Sequence, residues 1–331
     1  MEILSDVLRA VRLSGAIFFD VEATSPWIAE TPPMAEIAGS VMPEAEHVIG
    51  FHAVLSGSCW AELGDRSVPA LHLGAGDVII LPAGARHSLC SAPGMHAEPD
   101  LAAYYRPSDR PLPFVLQKGG GGAEGARFVC GYLGCDAKPF NPLLDALPDV
   151  IHARGQADGP GWAAQLIRMA LGESRSRGAG SEIVLARLSE LLFVEVLRRH
   201  LATLPEDSRG WLAGLRDRHV GAALRLIHGR PNETWTLEGL AREVGLSRSV
   251  FAERFTHYVH MAPMHYLGRW RLQLAARHLE RPGVNIARVA QEVGYESEAA
   301  FNRAFKKLMG TPPGVWRKTR RALDGAETRS S

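Results

Sequence analysis

Residues 286–313 read IARVAQEVGYESEAAFNRAFKKLMGTPP, and residues 237–263 read LEGLAREVGLSRSVFAERFTHYVHMAP. The two stretches carry one pattern twice. Leu237, Leu240, Ala241 and Val244 fall at i, i+3, i+4 and i+7, and Ile286, Val289, Ala290 and Val293 repeat them at an offset of 49. Gly245 matches Gly294. Beyond it, Ser247, Phe251, Phe255 and Pro263 match Ser297, Phe301, Phe305 and Pro313 at an offset of 50, so the second turn is one residue longer. The apolar spacing predicts a short amphipathic helix in each copy. The glycine supplies the left-handed backbone that ends it. The serine caps a second helix, and two phenylalanines one turn apart anchor that helix to the first. Each copy is a helix-turn-helix.

A single helical hairpin is a common feature. Two copies joined by one helix, expected from about Met264 to Glu280, are specific. On these residues the chain resembles the AraC/XylS family of bacterial transcription regulators. The resemblance covers residues 219–317. It rests on Leu237-Glu238-Gly239-Leu240-Ala241, on Arg271-Leu272 with Ala275 and Leu279, and on Val293-Gly294-Tyr295-Glu296-Ser297 through Phe301, Arg303, Phe305 and Lys306 to Gly310-Thr311-Pro312. It implies two reading heads on a linker helix, with double-stranded promoter DNA as the partner and RNA polymerase as a second partner if the protein activates.

A recognition helix reads base edges with its exposed side chains. The first should run from about Arg248 to Phe255 and expose Arg248, Ser249, Ala252 and Glu253. The second should run from about Glu298 to Leu308 and expose Glu298, Ala299, Asn302, Arg303 and Lys306. Arg303 suits guanine, Asn302 adenine or phosphate, and Lys306 phosphate. Ala252 offers only a methyl contact, so specificity leans on the second head, on Arg248 or on DNA shape. Ser297 and Thr236 stand at helix starts, where phosphate contact and plain capping are equal alternatives.

Charge agrees with this assignment. The 331 residues carry a formal net charge of +1. Residues 221–331, however, hold 18 Lys+Arg against 10 Asp+Glu, or +8, which leaves −7 for residues 1–220. A basic C-terminal third on an acidic body points to a polyanion. The composition, 46% hydrophobic and 22% charged, excludes a disordered chain. No apolar run approaches a membrane span, and the N-terminus lacks a secretion signal. Four cysteines in a chain of this length make no disulfide scaffold, so a cytoplasmic address is expected.

Residues 1–150 read as short strands separated by turns, as in a sandwich or barrel. The strand candidates are Val48–Leu55, Cys59–Leu63, Val68–Leu73, Val78–Leu81 and Arg127–Leu133. Phe51-His52-Ala53-Val54-Leu55-Ser56-Gly57-Ser58-Cys59-Trp60 and Leu73-Gly74-Ala75-Gly76-Asp77 through His87 resemble cupin-type sensing domains fused to this DNA-binding unit. The subgroup includes reactive-chlorine sensors. The fold expected is α+β. A cupin-like β-barrel domain (1–150) precedes a helical connector (151–215), and an all-α double helix-turn-helix domain (216–320) closes the chain. In the connector, Leu185, Leu188, Leu192 and Val196 share one helix face, widened by Ile183, Val184 and Leu191. That stripe either packs on the barrel or makes a homodimer.

The candidate sensing residues are His52, Trp60, His87 and Cys130. Enzyme-type cupins hold a metal with two histidines two apart, a glutamate and a later histidine. Here Val54 stands two after His52 and no glutamate follows before Glu62, so no metal, cofactor or catalysis is expected. Zinc or copper on two histidines and a cysteine remains an alternative, as does a metal-binding cupin enzyme with an accessory DNA-binding domain. The resemblance places Cys130 where chlorine-sensing relatives carry a cysteine, but their N-terminal partner cysteine has no counterpart in Ile17-Phe18-Phe19-Asp20. A disulfide from Cys130 to Cys90 or Cys59 requires the barrel to bring them together. A small-molecule pocket lined by Phe51, Trp60 and Tyr132 is equally open, and the signal is a small molecule or an oxidant.

Overall fold

The computed structural model describes residues 3–65, 68–105, 112–155, 162–176 and 178–327. A short helix α1 (Ile3–Ala10) opens the chain. Among the described residues nine strands follow, with α2 (Met34–Val41) among them: β1 (Ser14–Thr24), β2 (Ile28–Thr31), β3 (His47–Leu63), β4 (Leu71–Gly74), β5 (Val78–Leu81), β6 (His87–Cys90), β7 (Phe114–Gly119), β8 (Gly125–Cys135) and β9 (Ile151–Ala153). Next come α3 (Trp162–Ser176), α4 (Ser181–Thr203), α5 (Trp211–Arg216), α6 (Arg218–Gly229), α7 (Leu237–Glu243), α8 (Arg248–Val259), α9 (Pro263–Glu280), α10 (Ile286–Glu292), α11 (Glu298–Met309) and α12 (Pro313–Glu327). Among the described residues, no helix is long and apolar enough to cross a membrane.

The chain divides into two units, and packing groups its segments differently from the sequence-based boundaries. One unit holds Leu13–Cys135 and Leu147–Thr203; the other holds Met1–Arg12, Asp136–Ala146 and Leu204–Ser331. The first is a half-barrel built on β3. This 17-residue strand pairs β8 and β5 along its first part and β4 and β6 along its second. A bulge between Val54 and Ser56 divides the two parts. An inserted residue reverses which side chains face inward. Before the bulge, Val48 and Val54 join the interior; after it, Cys59, Ala61 and Leu63 do.

Helix α4 completes the same unit. Leu185, Leu188, Leu192 and Val196 are all buried, so the stripe packs within its own chain. Each such leucine contributes about 1.5–3 kcal/mol by leaving water. The approach to β1 is close, since a Cβ on Gly15 would lie 2.7 Å from Ser189 Cβ and 2.8 Å from the Ala186 carbonyl oxygen. Ile183, Val184 and Leu191 do not widen the stripe. They are 68%, 43% and 52% exposed. At 3.6 residues per turn they sit roughly 100–160° round the helix from its centre.

In the helical unit, α9 is the axle. Tyr266, Leu267 and Trp270 are buried on its first half, while Leu272, Ala275, Ala276 and Leu279 join Val289, Phe301, Phe305 and Trp316 in a second core. Helix α1 and residues 136–146 also pack into this unit. Gln273, 1% exposed, ties them to α9. Its Nε2 donates to the Ala10 carbonyl at 2.9 Å, and its Oε1 accepts from the Phe140 amide at 2.9 Å. Arg12 forks onto Asp136 at 2.6–3.1 Å and lies 3.4 Å from Glu280.

Candidate functional site

The two reading heads follow the sequence pattern closely. Thr236 caps α7, its Oγ1 accepting from the Gly239 amide at 3.0 Å, and Ser247 caps α8. Asn285 caps α10, and Ser297 caps α11 by accepting from the Ala300 amide at 3.2 Å. The Thr236 and Ser297 side chains are thus engaged as caps. Gly245 and Gly294 take φ of +72° and +86°, the left-handed values that end α7 and α10. Phe251, Phe255, Phe301 and Phe305 are fully buried.

The opposite faces are open. Arg248, Ser249 and Glu253 are exposed on α8, with Ala252 half-buried. On α11, Glu298, Ala299, Arg303 and Lys306 are exposed and Asn302 is half-buried. Arg248 is engaged: its Nε lies 3.0 Å from Glu238 Oε1 on α7, so reaching a base requires that pair to part. The α8 surface also carries Val250, 49% exposed, and Arg254, neither of which the motif spacing singles out. Arg254 forks onto Asp217, the residue that caps α6. It is therefore committed to holding the head together.

In the half-barrel, three of the four candidate sensing residues meet. His52 on β3 stands directly opposite Cys130 on β8, and its Nδ1 lies 2.8 Å from Cys130 Sγ. His52 Nε2 lies 2.6 Å from His87 Nε2, and His87 Nδ1 lies 2.8 Å from the Ala85 carbonyl oxygen. One carbonyl fixes every proton in this line. The Ala85 oxygen only accepts, so His87 carries its proton on Nδ1 and accepts at Nε2. His52 then donates from Nε2 and accepts at Nδ1, where the Cys130 thiol donates. All three groups are buried. Burial lowers the His52 pKa well below its ordinary value and brings His87 down to about 4, while it raises the Cys130 thiol. The line therefore rests neutral, as a thiol and two imidazoles.

Trp60 is elsewhere. It lies beyond the bulge, where inward parity has shifted to Cys59, and its ring sits edge-on to His72 at 4.9 Å. The pocket expected from Phe51, Trp60 and Tyr132 is replaced by a cavity of about 110 Å³ lined by Phe19, Thr31, Tyr104, Leu116, Cys130 and Tyr132. Of the three expected residues only Tyr132 lines it. Phe51 points to the other face of the sheet, where it covers Gly131: a Cβ there would fall 2.2 Å from Phe51 Cζ.

The donor set does not fit one metal ion. Cys130 and His87 lie on opposite ring nitrogens of His52, so the donors extend in a line where a tetrahedral site needs them to converge. Among the described residues no group of three or more His, Cys, Asp or Glu side chains is placed to hold a metal. Cys59, Cys90, Cys130 and Cys135 are all buried, and none of the four forms a disulfide. Burial pushes Cys59 up to about 12 and Cys90 up to about 11.

A half-barrel joined in one chain to two helix-turn-helix heads defines a one-component DNA-binding regulator. Comparison with known proteins agrees. Residues 2–202 match the Cupin family and residues 240–319 the helix-turn-helix domain family. The chain is 32% identical over 325 residues to a putative AraC-like transcription regulator of Streptomyces lividans, spanning 96% of this chain and 98% of that one. It is 30% identical over 276 residues to the HTH-type transcriptional regulator AlkR of Acinetobacter baylyi, spanning 83% and 89%. It is 25% identical over 280 residues to the RCS-specific HTH-type transcriptional activator RclR of Escherichia coli, spanning 83% and 86%. The chain belongs to the AraC-like transcription regulators with a cupin N-terminal domain.

Sequence reasoning missed three things here. It joined His52, His87 and a cysteine only as an alternative metal set, although their register forms one hydrogen-bonded line. It missed Tyr104 and Thr31, which neighbour Tyr132 in the cavity wall and sit outside any motif. It also missed that residues 136–146, directly after β8, belong with the DNA-reading helices. The signal for that was available in Gln273, a polar residue three after Trp270 and three before Ala276 on an otherwise apolar face.

Proposed function

We propose that this cytoplasmic regulator places α8 and α11 in successive major grooves of one promoter, and that the Cys130–His52–His87 line in the half-barrel sets its affinity for that DNA. Two heads on one axle suit half-sites about 34 Å apart. Arg303 carries the base reading of the second head, since it is exposed and has no acidic partner among the described ion pairs. Arg303→Ala is expected to weaken specific binding by about 1–3 kcal/mol and relax one base position. An unchanged footprint and affinity would remove that role.

The observation that carries the sensing reading is the hydrogen-bond line ending on a thiol at a cavity wall. About 110 Å³ suits a molecule of a few heavy atoms and is well below the ~300–1,000 Å³ of ordinary ligand sites. That favours a small neutral oxidant over a larger effector. With hypochlorous acid, the Cys130 thiol becomes a sulfenic acid and chloride leaves. The thiol proton leaves with the chloride to solvent, and the neutral His52 Nδ1 then accepts from the sulfenic O–H in place of the thiol. The product is polar in an apolar wall, which gives the two redox forms different preferred packings. Strand β8 runs from Cys130 to Cys135 and straight into residues 136–146 of the helical unit, so a shift in β8 passes along the backbone to those residues and on to α9 through the Phe140–Gln273 hydrogen bond.

No catalytic turnover is part of this function, and a metal-centred enzyme is disfavoured by the linear donors. The exposed Ile183, Val184 and Leu191 face of α4 would seat a second copy in a homodimer, which sedimentation of the full chain tests. The sensing reading is tested by promoter titration of reduced and hypochlorite-treated protein, repeated with Cys130→Ser. A change in affinity of roughly tenfold that vanishes in the variant is expected, in the 1–3 kcal/mol range usual for coupled sites. Equal response from Cys130→Ser would transfer the signal to another group.

A further inference from the structure

The two heads share no core. The first rests on α9 through Phe255 against Tyr266, with ring centroids 5.8 Å apart. The second rests on Leu272, Ala275, Ala276 and Leu279. Arg271 stands where the halves of α9 meet. Its Nε donates to the Pro231 carbonyl at 2.7 Å and its Nη2 to the Glu233 carbonyl at 2.7 Å. Those carbonyls belong to the loop that leads into Thr236 and α7, and so to the first head.

The other side of the same guanidinium meets the second head. A Cβ built on Gly294 would lie 2.9 Å from Arg271 Cζ and Nη2, and 2.8 Å from Asn232 Cα. Gly294 ends α10, so the turn of the second head presses on Arg271 and on the first head's loop together. Gly245 holds the equivalent place in the first head, yet a Cβ there meets nothing within 4 Å. Both glycines are needed for their left-handed backbone. Only Gly294 is also needed for a close approach, and the turn alone does not account for that difference.

We infer that Arg271 and Gly294 brace the two heads at one fixed separation, and that this brace sets which half-site spacing the protein accepts on DNA. The inference rests on the reading that both heads engage one duplex. Each base pair added between half-sites moves the second by ~3.4 Å along the axis and turns it by ~36°, from ten base pairs per ~34 Å turn. A braced pair of heads cannot follow such a displacement. An unbraced pair follows it through bending at the middle of α9. Arg271 is half-buried with its fork spent on two carbonyls, so it acts as a positioning residue and not as a DNA contact.

The test uses the full chain on its footprinted promoter site, with the native spacing and with two base pairs inserted or removed between half-sites. Wild type is expected to lose roughly tenfold or more in affinity on the altered sites, comparable to the loss of one good base contact. Arg271→Met keeps length and loses the donors. It is expected to bind the native site within roughly threefold of wild type and to lose only two- to threefold on the altered sites, a penalty of a few tenths to under one kcal/mol in place of a full contact. Arg271→Lys, with one donor group for two carbonyls, should fall between. Gly294→Ala should behave like Arg271→Met, and Gly245→Ala should keep the wild-type penalty. Where a glycine variant fails to fold by circular dichroism, the two Arg271 variants decide. A wild-type spacing penalty in both Arg271 variants overturns the brace. If wild type protects only one half-site in the footprint and ignores spacing, the two-head reading itself falls and the brace with it, which separates the two failures.

Discussion

Phe305→Ala is expected to cost the helical unit about 3–5 kcal/mol of stability, the usual range for deleting a fully buried phenyl ring. Phe305 is 0% exposed. Its ring packs 5.5 Å from Phe301 and 5.8 Å from Trp316, centroid to centroid. The second core is small, and its members come from α9, α10, α11 and α12, so no neighbour is free to collapse into the space. Removing the ring forfeits the transfer energy and leaves a cavity that adds to the cost. Such a loss is a large share of the ~5–15 kcal/mol typical of a domain. Denaturant titration followed by circular dichroism should show an early transition for the helical unit, while Arg303→Ala on the same helix leaves the curve in place. A midpoint for Phe305→Ala within about 1 kcal/mol of wild type would show that the core repacks, and the anchoring role of the phenylalanine pair would then be wrong.

The contrast between Phe305 and Arg303 explains why this half of the molecule is legible in the sequence. A helix-turn-helix is a local object. Its apolar period, its glycine and its cap lie within about 20 residues of one another, and each feature maps to one physical requirement. All four phenylalanines, both glycines and the caps Thr236, Ser247 and Ser297 fall where the spacing places them, while the fourth cap, Asn285, shows only in the structure.

The half-barrel is harder for a reason that can be located. Trp60 and His52 are eight apart and share parity on a regular strand, so spacing alone faces both toward one pocket. The bulge between Val54 and Ser56 breaks that parity and turns Trp60 out. Nothing in Val54-Leu55-Ser56 announces the bulge. Register across strands is equally hidden. His52 meets Cys130, 78 positions away, through a pairing that local patterning does not specify. The stripe on α4 is visible as a stripe, but which surface covers it depends on Gly15, more than 170 residues earlier in the chain. Arg271 and Gly294 fall in recognisable motif positions, yet their meeting with the loop at Asn232 is tertiary and has no counterpart in the spacing.

Acidification is expected to destabilise this protein well before its carboxylates account for the loss, and the buried histidines supply the reason. His87 titrates at about 4 in the folded chain, lowered by burial, against an ordinary value of 6.5. His52 is lowered as well, by burial first and then by its neighbour His87. His228, stacked on Trp270 at 4.0 Å, is brought to about 3 by burial. For each group the unfolded chain binds a proton that the folded chain refuses. Stability therefore rises with pH across the window, and it is lost as pH falls below about 6.5 toward each folded value. At pH 5, His87 alone should account for about 1–2 kcal/mol, since a tenfold difference in proton affinity between the folded and unfolded chain is worth about 1.4 kcal/mol. Chemical denaturation at pH 7 and pH 5 should therefore show a marked drop for wild type. His52→Gln with His87→Gln should flatten that drop in the half-barrel, and His228→Gln should flatten it in the helical unit. Carboxylate titration is common to all three proteins and cancels in the comparison. A pH dependence unchanged by the double variant would mean that the Cys130–His52–His87 line accepts a proton at little cost. In that case the neutral chain of tautomers fixed by the Ala85 carbonyl would not be its resting state.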